Sequence, residues 1–157
     1  MTSPDVRHKL NTPVENIDTN GPSHKQILKA EKPVNDHFKE KGGIKYAGEH
    51  LIIDVWDATN LDDLTLIEDT LRHAVEVSGA TLLHIHLHHF TPTGGVSGVA
   101  VLAESHISVH TWPEKNYAAF DVFMCGDTEP EKTISIFQKA FCSNKIEVKE
   151  ILRGIEL

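Results

Sequence analysis

The sequence predicts an α+β domain, a two-layer sandwich in which a mainly antiparallel sheet carries helices on one face. Three observations point there. Strand-like runs rich in Val, Ile and alternating polar residues outnumber helical ones. Apolar spacing near 3.6 is sustained in only two stretches. Each of these lies between two strand-like runs, giving two βαβ-like halves around a glycine-rich centre.

Residues 1–43 read as a loosely structured N-terminal arm. They hold Pro4, Pro13, Pro22 and Pro33, and no apolar period lasts beyond one turn, although 23–30 has the makings of a short helix. Gly42-Gly43 ends the arm. His50 to Trp56 is apolar and β-branched and predicts a buried strand. Asn60 is a candidate cap for a helix whose stripe is Leu64, Ile67, Leu71, Ala74, Val75 and Ser78, and Gly79 is placed to stop it. In the next strand, 80–90, Leu83, Ile85 and Leu87 alternate with His84, His86 and His88. Pro92 to Gly95 predicts a turn. Strands follow at 96–103 and 106–111, the latter setting His106, Ser108 and His110 opposite Ile107 and Val109, and Trp112-Pro113 breaks it. A strand at 117–125 leads to Thr128-Glu129-Pro130-Glu131, which reads as a capping box. Its helix carries Ile134, Phe137 and Phe141, and residues 145–152 close the chain as a strand.

Composition narrows the function. Lys and Arg number 15 against 23 Asp and Glu, a formal charge of −8. Such a chain is not built to grip a phosphate backbone, so nucleic acid is not an expected partner. No apolar run approaches the ~20 residues that span a bilayer, so no membrane is expected either. Met1 to Lys9 shows no export signal, and Cys125 and Cys142 are expected reduced in the cytoplasm.

Eleven histidines are the compositional oddity. His84, His86 and His88 share one strand face, a possible metal trio or a polar interface; no cysteine pair or His-Glu-x-x-His spacing supports metal, and none is expected. Cys125 ends a strand in Phe123-Met124-Cys125-Gly126-Asp127, where a thiol is either a nucleophile or acid facing a cleft or a small buried hydrophobe. Gly94-Gly95-x-x-Gly98 lacks the Lys and Ser/Thr of a phosphate loop. Glu104-Ser105-His106 taken alone is a common polar turn.

The longer run Glu104-Ser105-His106-Ile107-Ser108-Val109-His110-Thr111-Trp112-Pro113-Glu114 resembles the maturation site of prokaryotic S-adenosylmethionine decarboxylase proenzymes. The resemblance extends over about Tyr46 to Gly154. It takes in His50-Leu51-Ile52-Ile53-Asp54, His88-His89-Phe90, Gly95-Val96-Ser97-Gly98-Val99 and Phe123 to Asp127. The doubled Gly94-Gly95 departs from shorter members, whose loop is one residue tighter.

The resemblance implies a decarboxylase domain at 44–157 that cuts itself between Glu104 and Ser105. A β chain, 1–104, and an α chain, 105–157, stay associated, and Ser105 becomes a pyruvoyl group. Decarboxylation of an amino acid needs an electron sink, and a protein-bound ketone can stand in for pyridoxal phosphate. By the same resemblance Ser97 and His110 assist processing, Cys125 reprotonates the product carbon, Phe90 stacks on adenine and Glu114 binds the nucleoside. The implied substrate is S-adenosylmethionine, the implied product the aminopropyl donor for spermidine synthesis, and the implied assembly a dimer of αβ units. Two alternatives stay open: a pyruvoyl arginine or ornithine decarboxylase of the same build, and a non-catalytic metal-binding dimer module.

Overall fold

The computed structural model describes residues 37–155. The expected helix at 23–30 lies outside them. The described chain opens with a hairpin, β1 (Lys39–Lys41) and β2 (Ile44–Tyr46). Its turn is Gly42-Gly43, at φ 61° and 81°, a pair of left-handed positions that glycine fills without steric cost. The boundary expected after Gly43 therefore falls inside a hairpin, at its turn. The elements that follow are β3 (Gly48–Trp56), α1 (Leu64–Val77), β4 (Leu82–His89), β5 (Val96–Leu102), β6 (Ser105–Trp112), a 3₁₀ turn (Pro113–Lys115), β7 (Tyr117–Met124), α2 (Lys132–Ala140) and β8 (Lys145–Arg153).

Six strands form one sheet in the order β4-β5-β6-β7-β3-β8, every neighbouring pair antiparallel. Those pairings make β3 parallel to β4 and β7 parallel to β8, although neither pair is adjacent. Each helix thus carries the chain to a non-adjacent parallel strand, α1 from β3 to the far edge at β4 and α2 from β7 past β3 to β8, a split βαβ arrangement. The two halves expected from the sequence are present and interleaved.

Alternation along the strands sets the two faces. Ile107, Val109, Ala118, Phe120, Val122 and Met124 point to the helices, where Ile67, Leu71, Ala74, Val75 and Phe137 close the core. Phe120 and Phe137 stack with ring centroids 4.1 Å apart. The opposite face carries no helix among the described residues. His106, Ser108, His110 and Trp112 of β6 lie on it, beside Phe123, Asp121 and Tyr117 of β7 and His50, Asp54 and Trp56 of β3.

Two caps differ from expectation. The α1 cap is Asp63, whose Oδ1 accepts from the Leu66 N–H at 3.0 Å; Asn60 sits at φ 59° in the preceding turn, unsuited to an N-cap. Thr128 does not cap α2. Its hydroxyl donates to the Cys125 carbonyl at 2.8 Å, and the helix begins only at Lys132. Gly79, at φ 76°, ends α1 as expected, its N–H donating to the Glu76 carbonyl.

Candidate active site

β5 and β6 are joined by two residues, Ala103 and Glu104, with Leu102 paired to Ser105 across the turn. Ala103 donates its N–H to the Thr81 carbonyl at 2.9 Å. Glu104 takes φ 62°, a left-handed conformation that costs a non-glycine residue about 1–2 kcal/mol. Strain is thus located at the peptide the sequence singled out.

Ser105 opens β6 on the helix-covered side and is 7% exposed. The register pairing His106 with Phe123 brings Cys125, just past the end of β7, alongside this turn. The contacts are close. The Cys125 N–H donates to Ser105 Oγ at 3.3 Å, Cys125 Sγ lies 3.7 Å from the same oxygen, and the thiol donates to the Glu104 carbonyl oxygen at 3.1 Å. A hydroxyl, a polarised carbonyl and a weak acid therefore converge on one peptide bond. That is what an attack of Ser105 on the Glu104 carbonyl needs.

Ser97 and His110 form a second centre. They are direct partners across β5 and β6, with Ser97 Oγ 2.9 Å from His110 Nδ1. Beside them a cleft of about 310 Å³ is lined by Phe90, Thr93, Gly95, Ser97, Trp112 and Glu114, among others. Gly95 has a steric reason: a Cβ there would stand 2.8 Å from the Thr111 carbonyl oxygen. From the sequence Trp112 stands out only as a strand break. Its alternation with His110 was the signal that puts it on the same face, where it stacks on Tyr117 at 5.3 Å. Asp54 accepts from the Tyr117 hydroxyl, and burial followed by that bond pushes the phenol up to about 12.

One chain does not unite the two centres. Ser105 and His110 are five residues apart on β6, about 16 Å at ~3.3 Å per residue, and their side chains leave opposite faces of the sheet. Phe90 and Glu114 go with His110, while Glu104 and Cys125 go with Ser105.

The histidine row is where alternation put it, on the helix-free face of the edge strand β4, with His84 opposite Val101, His86 opposite Val99 and His88 opposite Ser97. His88 meets the Phe90 ring edge-on at 4.5 Å. Among the described residues no three His, Cys, Asp or Glu side chains are grouped to hold a metal ion. A further polar group, not foreseen, is built on His50, His106, Ser108 and Asp121. Asp121 lies 3.4 Å from His50 and accepts from the Ser108 hydroxyl at 3.1 Å. His106 stacks on Phe123, and its pKa is lowered below the usual histidine value by burial, reinforced by His50 and opposed by Asp121.

The family profile described as S-adenosylmethionine decarboxylase matches residues 49–154, a span that contains both centres. The chain belongs to the S-adenosylmethionine decarboxylase family. It is 42% identical over 113 residues to the S-adenosylmethionine decarboxylase proenzyme of Thermomicrobium roseum, covering 71% of this chain and 97% of that protein. It is 50% identical over 115 residues to the proenzyme of Methanococcus maripaludis strain C5, covering 71% and 93%. The crystal structure of the adenosylmethionine decarboxylase from Aquifex aeolicus VF5 superposes with a TM-score of 0.62 at 29% identity, covering 71% of this chain and 94% of that one. That likeness bears out the α+β sandwich. The matched names do not favour the arginine or ornithine alternative, nor the metal-binding module. No helix among the described residues is long and apolar enough to cross a membrane.

Proposed function

We propose that this chain is a self-cleaving proenzyme whose mature form decarboxylates S-adenosylmethionine to the aminopropyl donor used in spermidine synthesis. The observation that carries the reading is the 3.1 Å contact from the Cys125 thiol to the Glu104 carbonyl, with Ser105 Oγ beside it.

In cleavage, Ser105 Oγ adds to the Glu104 carbonyl carbon and the Glu104–Ser105 C–N bond breaks, moving the acyl group from nitrogen to oxygen. The Cys125 thiol supports the oxyanion, and the left-handed strain at Glu104 is released as the turn opens. Loss of the Ser105 α-proton then expels the Glu104 carboxylate, and water replaces the nitrogen as ammonia, leaving a pyruvoyl group at 105. The pocket fits that group: it replaces a side chain already there, next to a thiol and a backbone donor. When present, the pyruvoyl supplies an electron sink for the bond to carbon dioxide. Cys125 returns a proton to the carbon that loses the carboxylate. Phe90 and Glu114 hold the nucleoside, the ring by stacking and the carboxylate by accepting from ribose hydroxyls.

The 16 Å separation within a chain supports a dimer. The Ser97–His110 pair and its cleft then complete the Ser105 centre of a second copy, and two-fold symmetry gives two such composite sites. In this role Ser97 steadies the tetrahedral oxygen and His110 moves the α-proton during elimination. In this role the enzyme works in the cytoplasm with both thiols reduced.

Intact-mass measurement tests the reading. Purified protein should resolve under denaturing conditions into residues 1–104 and 105–157, the latter blocked to Edman degradation. Ser105→Ala should remain one chain. A parent protein that stays full-length after long incubation would refute self-cleavage at this bond.

A further inference from the structure

The segment just before the family-matched residues lies on the cleavage centre. His37 Nδ1 is 3.2 Å from the Glu104 carboxylate. The His37 carbonyl accepts from the Gly126 N–H at 2.8 Å, one residue past Cys125. Lys39 Nζ donates to the Thr128 carbonyl at 2.7 Å and to Glu49 at 2.8 Å, and Glu49 also accepts from the buried Tyr46 hydroxyl at 2.6 Å. For Glu49, burial pushes the carboxyl up, but the bonds from Lys39 and Tyr46 and the nearby lysine charges outweigh it, and the acid is held below its ordinary value. The anchor is therefore an ionised, charge-assisted network at the start of β3, a strand paired on both sides.

Residues 37–39 thus grip the two parts of the scissile centre separately. One contact fixes the side chain of Glu104, whose carbonyl is to be attacked. The others fix the loop 125–128, which supplies the thiol directed at that carbonyl. The family match begins at residue 49, and 113 aligned residues account for 97% of the Thermomicrobium roseum protein. That relative has only a few residues outside the aligned stretch.

The geometry points to a positioning role for the extension in maturation: His37, anchored through Lys39, holds the Glu104 side of the scissile peptide against the Cys125 loop and speeds self-cleavage. This rests on the self-cleavage reading. Positioning residues act by keeping reacting groups near attack distance, and losses of this kind are modest when the contact is half exposed.

The test is a cleavage time course on the full chain, followed by intact mass, for the parent, His37→Ala, His37→Asn, Glu104→Ala and the double variant His37→Ala/Glu104→Ala. His37→Ala should slow cleavage about fivefold, the order of a surface charge contact. His37→Asn, which keeps a donor near the Nδ1 position, should recover to within about twofold of the parent. Because His37 acts through Glu104, the double variant should cleave at the rate of Glu104→Ala alone. The unfolding temperature of His37→Ala should match the parent's. Parental cleavage by His37→Ala overturns the inference, as does a slowing that simply multiplies with that of Glu104→Ala, or one that tracks a fall in unfolding temperature. An uncut parent is a different result: it removes the self-cleavage reading itself and the inference with it.

Discussion

Cys125 touches the Glu104 carbonyl and the Ser105 hydroxyl in the uncut chain, and on the function proposed above this one thiol would serve cleavage and decarboxylation in turn. A thiol is a weak donor, and its loss should slow cleavage by about tenfold, less than the ~10²–10³ that follows removal of a strong oxyanion donor. Turnover of whatever chain does mature should fall further, by about 10²–10⁴, the worth of a placed acid. Comparing cleavage and steady-state rates of Cys125→Ala measures both, and parental turnover would reduce the thiol to packing. His106 gives a pH prediction. Its folded-state pKa lies below the unfolded value because burial resists the charge. The unfolded chain therefore binds the proton more readily, so stability is full above about pH 6.5 and is lost as pH falls below it. Denaturant unfolding between pH 7 and 5 should show a steeper loss in the parent than in His106→Gln. Equal slopes would mean that the ring titrates alike in both states.

At the scale of elements, alternation was the most legible signal. It placed His84, His86 and His88 on one face and set His106, Ser108 and His110 opposite Ile107 and Val109, while β-branched, apolar composition marked the strand at 50–56. Caps were less legible, because Asn60, Asp63 and Thr128 all have side chains that suit a helix start and only the backbone angles choose among them. The choice of Asp63 has a measurable result: Asp63→Ala should cost about 1 kcal/mol of stability while leaving the cleavage rate at Ser105 unchanged. Equilibrium unfolding and the cleavage time course together decide it. The separation of Ser97 and His110 from Ser105 was not legible at all. A motif shows that these residues occur together in sequence, but five positions along an extended strand is a long way in space. The hairpin at 39–46 was hidden for another reason: three-residue strands are too short to show a period.

For the molecule as a whole, the helix-free sheet face and the two separated centres make the same prediction. Ser105→Ala and His110→Ala should each be inactive alone. Co-expressed, they should regain up to about a quarter of parental activity, because random pairing makes half the dimers mixed and each mixed dimer carries one intact site. Decarboxylation assays on the co-purified pair read this directly, and no recovery would place both groups in the site of a single chain. The strand order has a consequence of its own. A cut at 104/105 assigns β4, β5 and β3 to one fragment and β6, β7 and β8 to the other, so the sheet reads first, first, second, second, first, second across its width. The two fragments are woven through each other, and neither can leave without breaking ladders on several seams. A precursor protomer refolds as one continuous chain, whereas refolding of a cut protomer requires two strangers to meet. Maturation would then turn a reversible molecule into one that, once melted at low concentration, does not come back.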